Sequence, residues 1–118
     1  MSGRGDLTTL TAEERLSDSR IRLYGNDGLW RNALHPLDDA HGQIDAVSAD
    51  RLAAVGPGLF FAREFTSSND RDVALIPCAK GGSSMHQWKP DLSGSTLYGS
   101  CLARAKAADQ PIAGVLWY

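Results

Sequence analysis

The chain has 118 residues, a formal net charge of -2 at pH 7 and 42% apolar residues. That length holds one domain with an ordinary hydrophobic core, and the nearly balanced charge argues against nucleic acid or an anionic membrane as a partner. No stretch approaches the roughly 20 apolar residues of a membrane span, and residues 1–6 lack the apolar segment of a signal peptide. The sequence leaves the cellular compartment and the oligomeric state open.

The first half of the chain predicts loops around one hairpin. Residues 2–16 are polar and are expected to form a loop with a short helical turn. Residues 20–24 alternate polar and apolar side chains like a half-buried strand. The Gly-Asn-Asp-Gly sequence at 25–28 is typical of a turn, and a second extended piece is expected at 29–33. Residues 38–50 are predicted to be a surface connection with little regular structure.

The middle of the chain predicts a helix followed by a strand. Phe61 and Phe65 are four residues apart after Pro57, which favours a short buried helix with both rings on its inner face. Residues 73–76 are a continuous apolar run of the kind found in a central parallel strand.

A glycine loop follows this strand. Gly81 and Gly82, with Ser83 and Ser84 after them, would present bare backbone N–H groups at a sheet edge, where open α/β folds bind ligands. Taken alone, such a sequence is more often a turn or the start of a helix. A phosphate or nucleotide nest is another alternative, but no Lys-Ser/Thr pair follows the glycines to support it.

The last part of the chain predicts a second helix and a second strand. Residues 93–96 are expected to cap an amphipathic helix whose outer face carries Arg104 and Lys106. The apolar residues 112–118 predict a strand. Alternation of helix and strand indicates a parallel sheet covered by helices, so the expected fold class is α/β.

The two cysteines, Cys78 and Cys101, are too few for a disulfide framework. Both are expected to be buried thiols, with a disulfide as the less favoured alternative. Cys78 and His86 would be a candidate thiol-hydrolase pair, but the apolar neighbours of Cys78 disfavour a reactive thiolate. No spacing of His, Cys and carboxylate residues suggests a metal site, and His35 and His41 are expected to be structural or exposed, as is His86.

Several motifs, taken together, resemble one esterase family. They are Trp30, His-Pro-Leu at 35–37, Val-Gly-Pro-Gly-Leu-Phe-Phe-Ala at 55–62, Val-Ala-Leu-Ile-Pro-Cys-Ala-Lys-Gly-Gly-Ser-Ser at 73–84 with Trp88, Leu97-Tyr98, and Gly-Val-Leu-Trp-Tyr at 114–118. This set is similar to the SASA family of SGNH-type esterases, which includes sialate O-acetylesterases and plant carbohydrate esterases of family 6. The resemblance implies a three-layer αβα, flavodoxin-like parallel sheet, with residues 1–118 forming one partial domain.

The resemblance also implies where the catalytic groups lie. Residues 1–5 resemble the tail of the family's Gly-Gln-Ser-Asn-Met motif, so the nucleophilic serine is expected just upstream of residue 1 and the catalytic Asp and His beyond residue 118. Gly81 or Gly82 matches the glycine whose N–H stabilises the oxyanion, and Gly82 is favoured. Ser83, Ser84 and Trp88 are expected to contact the substrate, although Trp88 could equally be a packing residue.

The implied activity is hydrolysis of O-acetyl esters on sugars by acyl transfer to serine, without metal or organic cofactor. The expected partner is therefore an O-acetylated carbohydrate, and residues 1–118 alone are expected to be inactive. A noncatalytic glycan-binding or interaction remnant of the same fold is the alternative.

Overall fold

A computed structural model describes residues 2–117 of the chain. These residues contain the strands β1 (Ile21–Tyr24), β2 (Trp30–Asn32) and β3 (Val73–Leu75), the helices α1 (Pro57–Asn69) and α2 (Leu97–Ala107), and short 3-10 helices at Leu7–Thr9 and Met85–Trp88. Within residues 2–117, no helix is both long enough and apolar enough to cross a membrane.

The three strands form one mixed sheet in the order β2-β1-β3. β1 pairs with β2 in an antiparallel hairpin, as the turn sequence predicts, and the turn residue Gly28 has a φ of +76° that favours glycine. β1 pairs with β3 in parallel, whereas the parallel sheet was expected from residues 73–76 and 112–118. β1 is the central strand of this sheet, and Ile21 and Leu23 are almost completely buried in the core.

Two expectations about the sheet are wrong for the described residues. β3 is an edge strand of this sheet and is only half-buried, whereas residues 73–76 were expected to be central. Residues 112–117 form no strand, because a strand needs a neighbour for its backbone N–H and C=O groups and none of the described strands pairs with them. Val115 is 80% exposed as a result, and Tyr118 lies outside the described residues. The described residues therefore form a small α/β structure with one mixed sheet. The expected three-layer parallel fold is not shown by these residues.

Helix α1 packs on the sheet through small and aliphatic side chains. Leu59, Ala62 and Thr66 form its buried face, and Leu59 and Ala62 belong to the hydrophobic core. The expectation that Phe61 and Phe65 form this face is wrong, since they are 42% and 37% exposed and pack against each other with ring centroids 5.9 Å apart. Small side chains let the helix approach the sheet, and the two rings project to the side.

Helix α2 begins where Thr96 caps it, with the Gly99 N–H donating to Thr96 Oγ1 over 3.0 Å. The prediction that Arg104 lies on the outer face is wrong, because its side chain is only 5% exposed. Its guanidinium donates to the Pro77 carbonyl and, over 2.9 Å each, to the Asp45 carboxylate and the Ser48 hydroxyl. The five N–H donors of a guanidinium make such burial possible when several acceptors surround it.

Cys78 and Cys101 form a disulfide, with Cα atoms 5.1 Å apart, so the expectation of two thiols is wrong. The bond joins the segment after β3 to α2, and helix packing, which the sequence spacing does not show, brings the two residues together. Because Cys78 has no free thiol, the thiol-hydrolase alternative is excluded as well.

Replacing Arg104 by Ala should lower the free energy of unfolding by about 3 kcal/mol, because the change leaves a half-buried Asp45 carboxylate and the Pro77 carbonyl without their donor. Urea unfolding followed by circular dichroism measures the effect. Lys106→Ala on the exposed side of α2 is the matched control and should change stability by less than about 0.5 kcal/mol. Equal stability of the two variants would contradict the structural role given to Arg104.

Candidate active site at the glycine loop

The glycine loop leaves the sheet shortly after β3 and turns at Gly82. Gly82 has a φ of +70°, the left-handed conformation that side chains disfavour, and the Ser83 N–H closes the turn on the Lys80 carbonyl over 3.4 Å. No atom lies within 4 Å of the place where a Gly82 side chain would begin. Among residues 2–117, the Gly82 N–H donates no hydrogen bond. Gly82 therefore has free space beside its Cα atom and an N–H that donates to no acceptor in the described residues.

The N–H of Gly81 differs from that of Gly82 because it donates a hydrogen bond. This N–H donates to Asp50 Oδ2 over 2.8 Å, and the Arg4 guanidinium occupies the space that a Gly81 side chain would need. The resemblance makes both glycines oxyanion candidates and favours Gly82. In this structure the Gly81 donor is already used, whereas the Gly82 donor is available.

Asp50 is the acceptor that fixes the loop, and it is only 8% exposed. Its carboxylate also accepts from Arg4 over 2.7 Å and from the Leu52 N–H over 3.1 Å. Partial burial acts to raise the pKa of Asp50, but hydrogen bonds from Ser2, Arg4 and the Gly81 N–H outweigh it and hold the pKa well below its usual range. Asp50 is therefore ionised at neutral pH.

Residues 45–50, named here the anchor segment, hold the loop at further points. The Lys80 ammonium donates to the Val47 carbonyl over 2.7 Å, directly before the two glycines. At the other end, Asp45 accepts from Arg104 over 2.9 Å and from the Ser100 hydroxyl over 3.0 Å, both on α2. The segment has no helix or strand, as predicted for residues 38–50, yet it connects α2 to the glycine loop.

The predicted substrate-contacting residues lie together directly after the glycines. Ser83 Oγ donates to the Lys80 carbonyl over 2.8 Å and accepts from the Trp88 indole N–H over 3.1 Å. Trp88 is half-buried and packs edge-on against Trp117 with ring centroids 5.2 Å apart. The Ser84 N–H donates to the Gln87 side chain over 2.8 Å at the start of the 3-10 helix. These contacts shape the loop, and contact with a substrate stays a prediction.

The three histidines do not complete a hydrolytic pair within the described residues. His35 packs against Phe60 at 5.2 Å, and burial lowers its pKa. His41 and His86 are exposed. No histidine within residues 2–117 hydrogen-bonds a serine hydroxyl, so this part of the chain holds no Ser-His pair of the kind that activates a nucleophile. Nor do these residues contain a group of three His, Cys, Asp or Glu side chains that could hold a metal ion.

Sequence reasoning missed the residues that hold the loop: Arg4, Asp45 and Asp50. Asp50 is 31 residues from Gly81, and Asp45 is 59 residues from Arg104. Acidic residues in a loop usually accept local backbone N–H groups, so their type alone did not distinguish them from ordinary turn residues. The sequence of α2 does not signal a buried acceptor either, because Arg104 and the exposed Lys106 lie only two residues apart.

The geometry can be set beside known proteins. The model of the family described as "Carbohydrate esterase, sialic acid-specific acetylesterase" matches residues 1–118. The chain belongs to this family. The chain is 32% identical over 107 residues to a probable carbohydrate esterase of Arabidopsis thaliana. The matched region covers 86% of this chain and 38% of that protein. The chain is also similar to an X-ray structure of an Arabidopsis thaliana protein, with a TM-score of 0.65, 25% identity and coverage of 86% of this chain. The family resemblance inferred from the motifs is thereby confirmed, and the chain spans 39% of the length of the solved structure.

Replacing Asp50 by Asn should lower the free energy of unfolding at pH 7 by about 2 kcal/mol, because a neutral amide cannot serve the Arg4 and Gly81 donors equally well. The pKa of Asp50 is lower in the folded chain than in the unfolded chain, so its stabilisation is fully present above about pH 5 and is lost as the pH falls further.

The difference between wild type and Asp50→Asn should therefore be constant from neutral pH down to about pH 5 and should shrink in more acidic solution. Urea titrations at a series of pH values measure it. Glu13→Gln changes an exposed carboxylate that makes no hydrogen bond within the described residues, and it is the control expected to match wild type throughout. A difference that grows as the pH falls would contradict the assignment of an ionised, stabilising Asp50.

Proposed function

We propose that the chain provides the oxyanion-binding loop of a serine carbohydrate acetylesterase. One observation carries the proposal: Arg4 and Gly81 share the Asp50 carboxylate, so residues 2–5 lie against the glycine loop. Residues 1–5 resemble the tail of the family's nucleophile motif, and Gly82 matches its oxyanion glycine. Two segments that the chemistry requires close together are thus held together by one buried carboxylate.

Gly82 is the residue proposed to stabilise the reaction's negative charge. In an acetyl transfer, a serine Oγ attacks the acetyl carbonyl carbon while a histidine accepts the hydroxyl proton, and the carbonyl oxygen becomes an oxyanion. An N–H that donates to no other acceptor can stabilise that charge without first breaking a hydrogen bond. The sugar oxygen then leaves with the proton, and water releases acetate from the serine by the reverse sequence of steps.

The electrostatics around the loop suit this role. A buried carboxylate beside Gly81 would by itself oppose a developing oxyanion at the next residue. The Arg4 guanidinium lies 2.7 Å from Asp50 and balances its charge, so the Gly82 N–H acts in a locally neutral environment. Asp50 can therefore orient the loop without acting against the transition state.

The serine nucleophile and the catalytic acid-base pair are proposed to come from sequence outside residues 1–118, and an O-acetylated carbohydrate is the proposed substrate. Ser83, Ser84 and Trp88 are proposed to contact this substrate. The mechanism needs no metal or organic cofactor.

The test compares two glycine substitutions in the protein expressed from the entire reading frame that contains these residues. Gly82→Ala should lower kcat for a chromogenic acetyl ester by about 100-fold or more, because a methyl group and a strained φ disturb the oxyanion donor. Gly94→Ala is the matched control, since Gly94 has a φ of +73° and equally open surroundings, and it should keep kcat within about threefold.

Equal loss of activity in both variants would contradict the proposed role of Gly82. If the reading frame encodes no Gly-Gln-Ser-Asn upstream of residue 1, the esterase proposal itself is wrong. Binding of O-acetylated glycans without hydrolysis by the protein from the entire reading frame would then favour the noncatalytic alternative.

A further inference from the structure

A polar groove of about 460 Å³ is bordered by Asp50, which contacts the glycine loop. Its walls include Asp39, His41, Asp50 and Arg51, and Asp50 is the residue that accepts the Gly81 N–H. A volume of this size lies within the range of small-molecule sites in proteins. Asp50 therefore borders the groove and also contacts Gly81, the residue before the proposed oxyanion donor.

The groove presents side-chain groups that the fold does not use. Within residues 2–117, the Arg51 guanidinium and the His41 imidazole make no hydrogen bond or ion pair. Asp39 Oδ1 accepts the His41 backbone N–H over 2.9 Å, which leaves Asp39 Oδ2 without a donor. The groove is thus lined by both donors and acceptors, including the exposed Arg51 guanidinium and the exposed Asp39 carboxylate.

The wall that carries these groups is held rigidly from beneath. Asn26 is only 3% exposed and its side-chain amide donates to the Asp39 carbonyl over 2.9 Å and to Asp38 Oδ1 over 2.8 Å. The chain then turns at Gly42, whose φ is +68°. A groove wall whose backbone is held before binding loses less backbone entropy when a ligand enters.

We propose that this groove binds the sugar ring of the O-acetylated substrate, with Arg51 and Asp39 on neighbouring ring hydroxyls. The proposal rests on the esterase function proposed above and locates the carbohydrate relative to Gly82. Sugar hydroxyls both donate and accept, so a mixed set of groups suits them. Two carboxylates in the wall disfavour a phosphate, and the polar lining disfavours an acyl chain.

The experiment titrates the isotopically labelled 118-residue chain with two probes, an acetylated xylo-oligosaccharide and an O-acetylated sialic acid, and follows backbone amide signals. Either sugar should shift the amides of residues 39–42 and 50–53.

Arg51→Ala should raise Kd about three- to tenfold, as expected for the loss of one hydrogen-bonding group. Arg71→Ala, an equally exposed arginine without a partner within residues 2–117, is the matched control and should leave Kd unchanged. His41→Ala is a second variant expected to weaken binding.

A stronger response to the sialic acid would assign Arg51 to its carboxylate, and a stronger response to the xylo-oligosaccharide would assign it to hydroxyls; both support the groove. Shifts confined to other residues, or equal affinity of Arg51→Ala, His41→Ala and wild type, would overturn it. Failure of the groove proposal can be distinguished from failure of the proposed esterase function. Hydrolysis by the protein from the entire reading frame without groove shifts rejects the groove alone, whereas groove binding without hydrolysis rejects the esterase alone.

Discussion

The hydrogen bond from the Gly81 N–H to the buried Asp50 carboxylate is the contact on which the arrangement of the candidate site depends. Its length is 2.8 Å, and the same oxygen accepts from Arg4 over 2.7 Å. Gly81 is thereby engaged, the Gly82 N–H donates to no acceptor within residues 2–117, and Arg4 balances the charge of the carboxylate. One ionised side chain thus joins the start of the chain, the glycine loop and the groove wall.

The anchor segment extends this constraint to helix α2. Asp45 binds Arg104, and Arg104 in turn donates to the carbonyl of Pro77, one residue before the disulfide-bonded Cys78. The loop between β3 and α2 is therefore fixed from both sides, by ionic contacts to the anchor segment and by a covalent bond to the helix. These contacts add to a small sheet, whose three strands contain three or four residues each.

The parts of the fold that depend on local sequence could be predicted. The hairpin follows from its Gly-Asn-Asp-Gly turn, α1 from Pro57 at its first turn, and α2 from its Thr96 cap. The parts that depend on distant contacts could not, since neither the burial of Arg104 nor the pairing of Cys78 with Cys101 leaves a trace in local patterns. The motifs identified the family and favoured Gly82 over Gly81, whereas the engagement of the Gly81 N–H by Asp50 could not be read from the sequence.

The most direct test of this account is the hydrogen exchange of the two glycine amides, measured by NMR on the 118-residue chain at neutral pH. A hydrogen-bonded N–H exchanges only when its bond opens, whereas a free, exposed N–H exchanges near the rate of an unstructured chain. We expect Gly81 to exchange at least about tenfold more slowly than Gly82, each relative to its rate in an unstructured chain. Equal protection of the two amides, or stronger protection of Gly82, would contradict it.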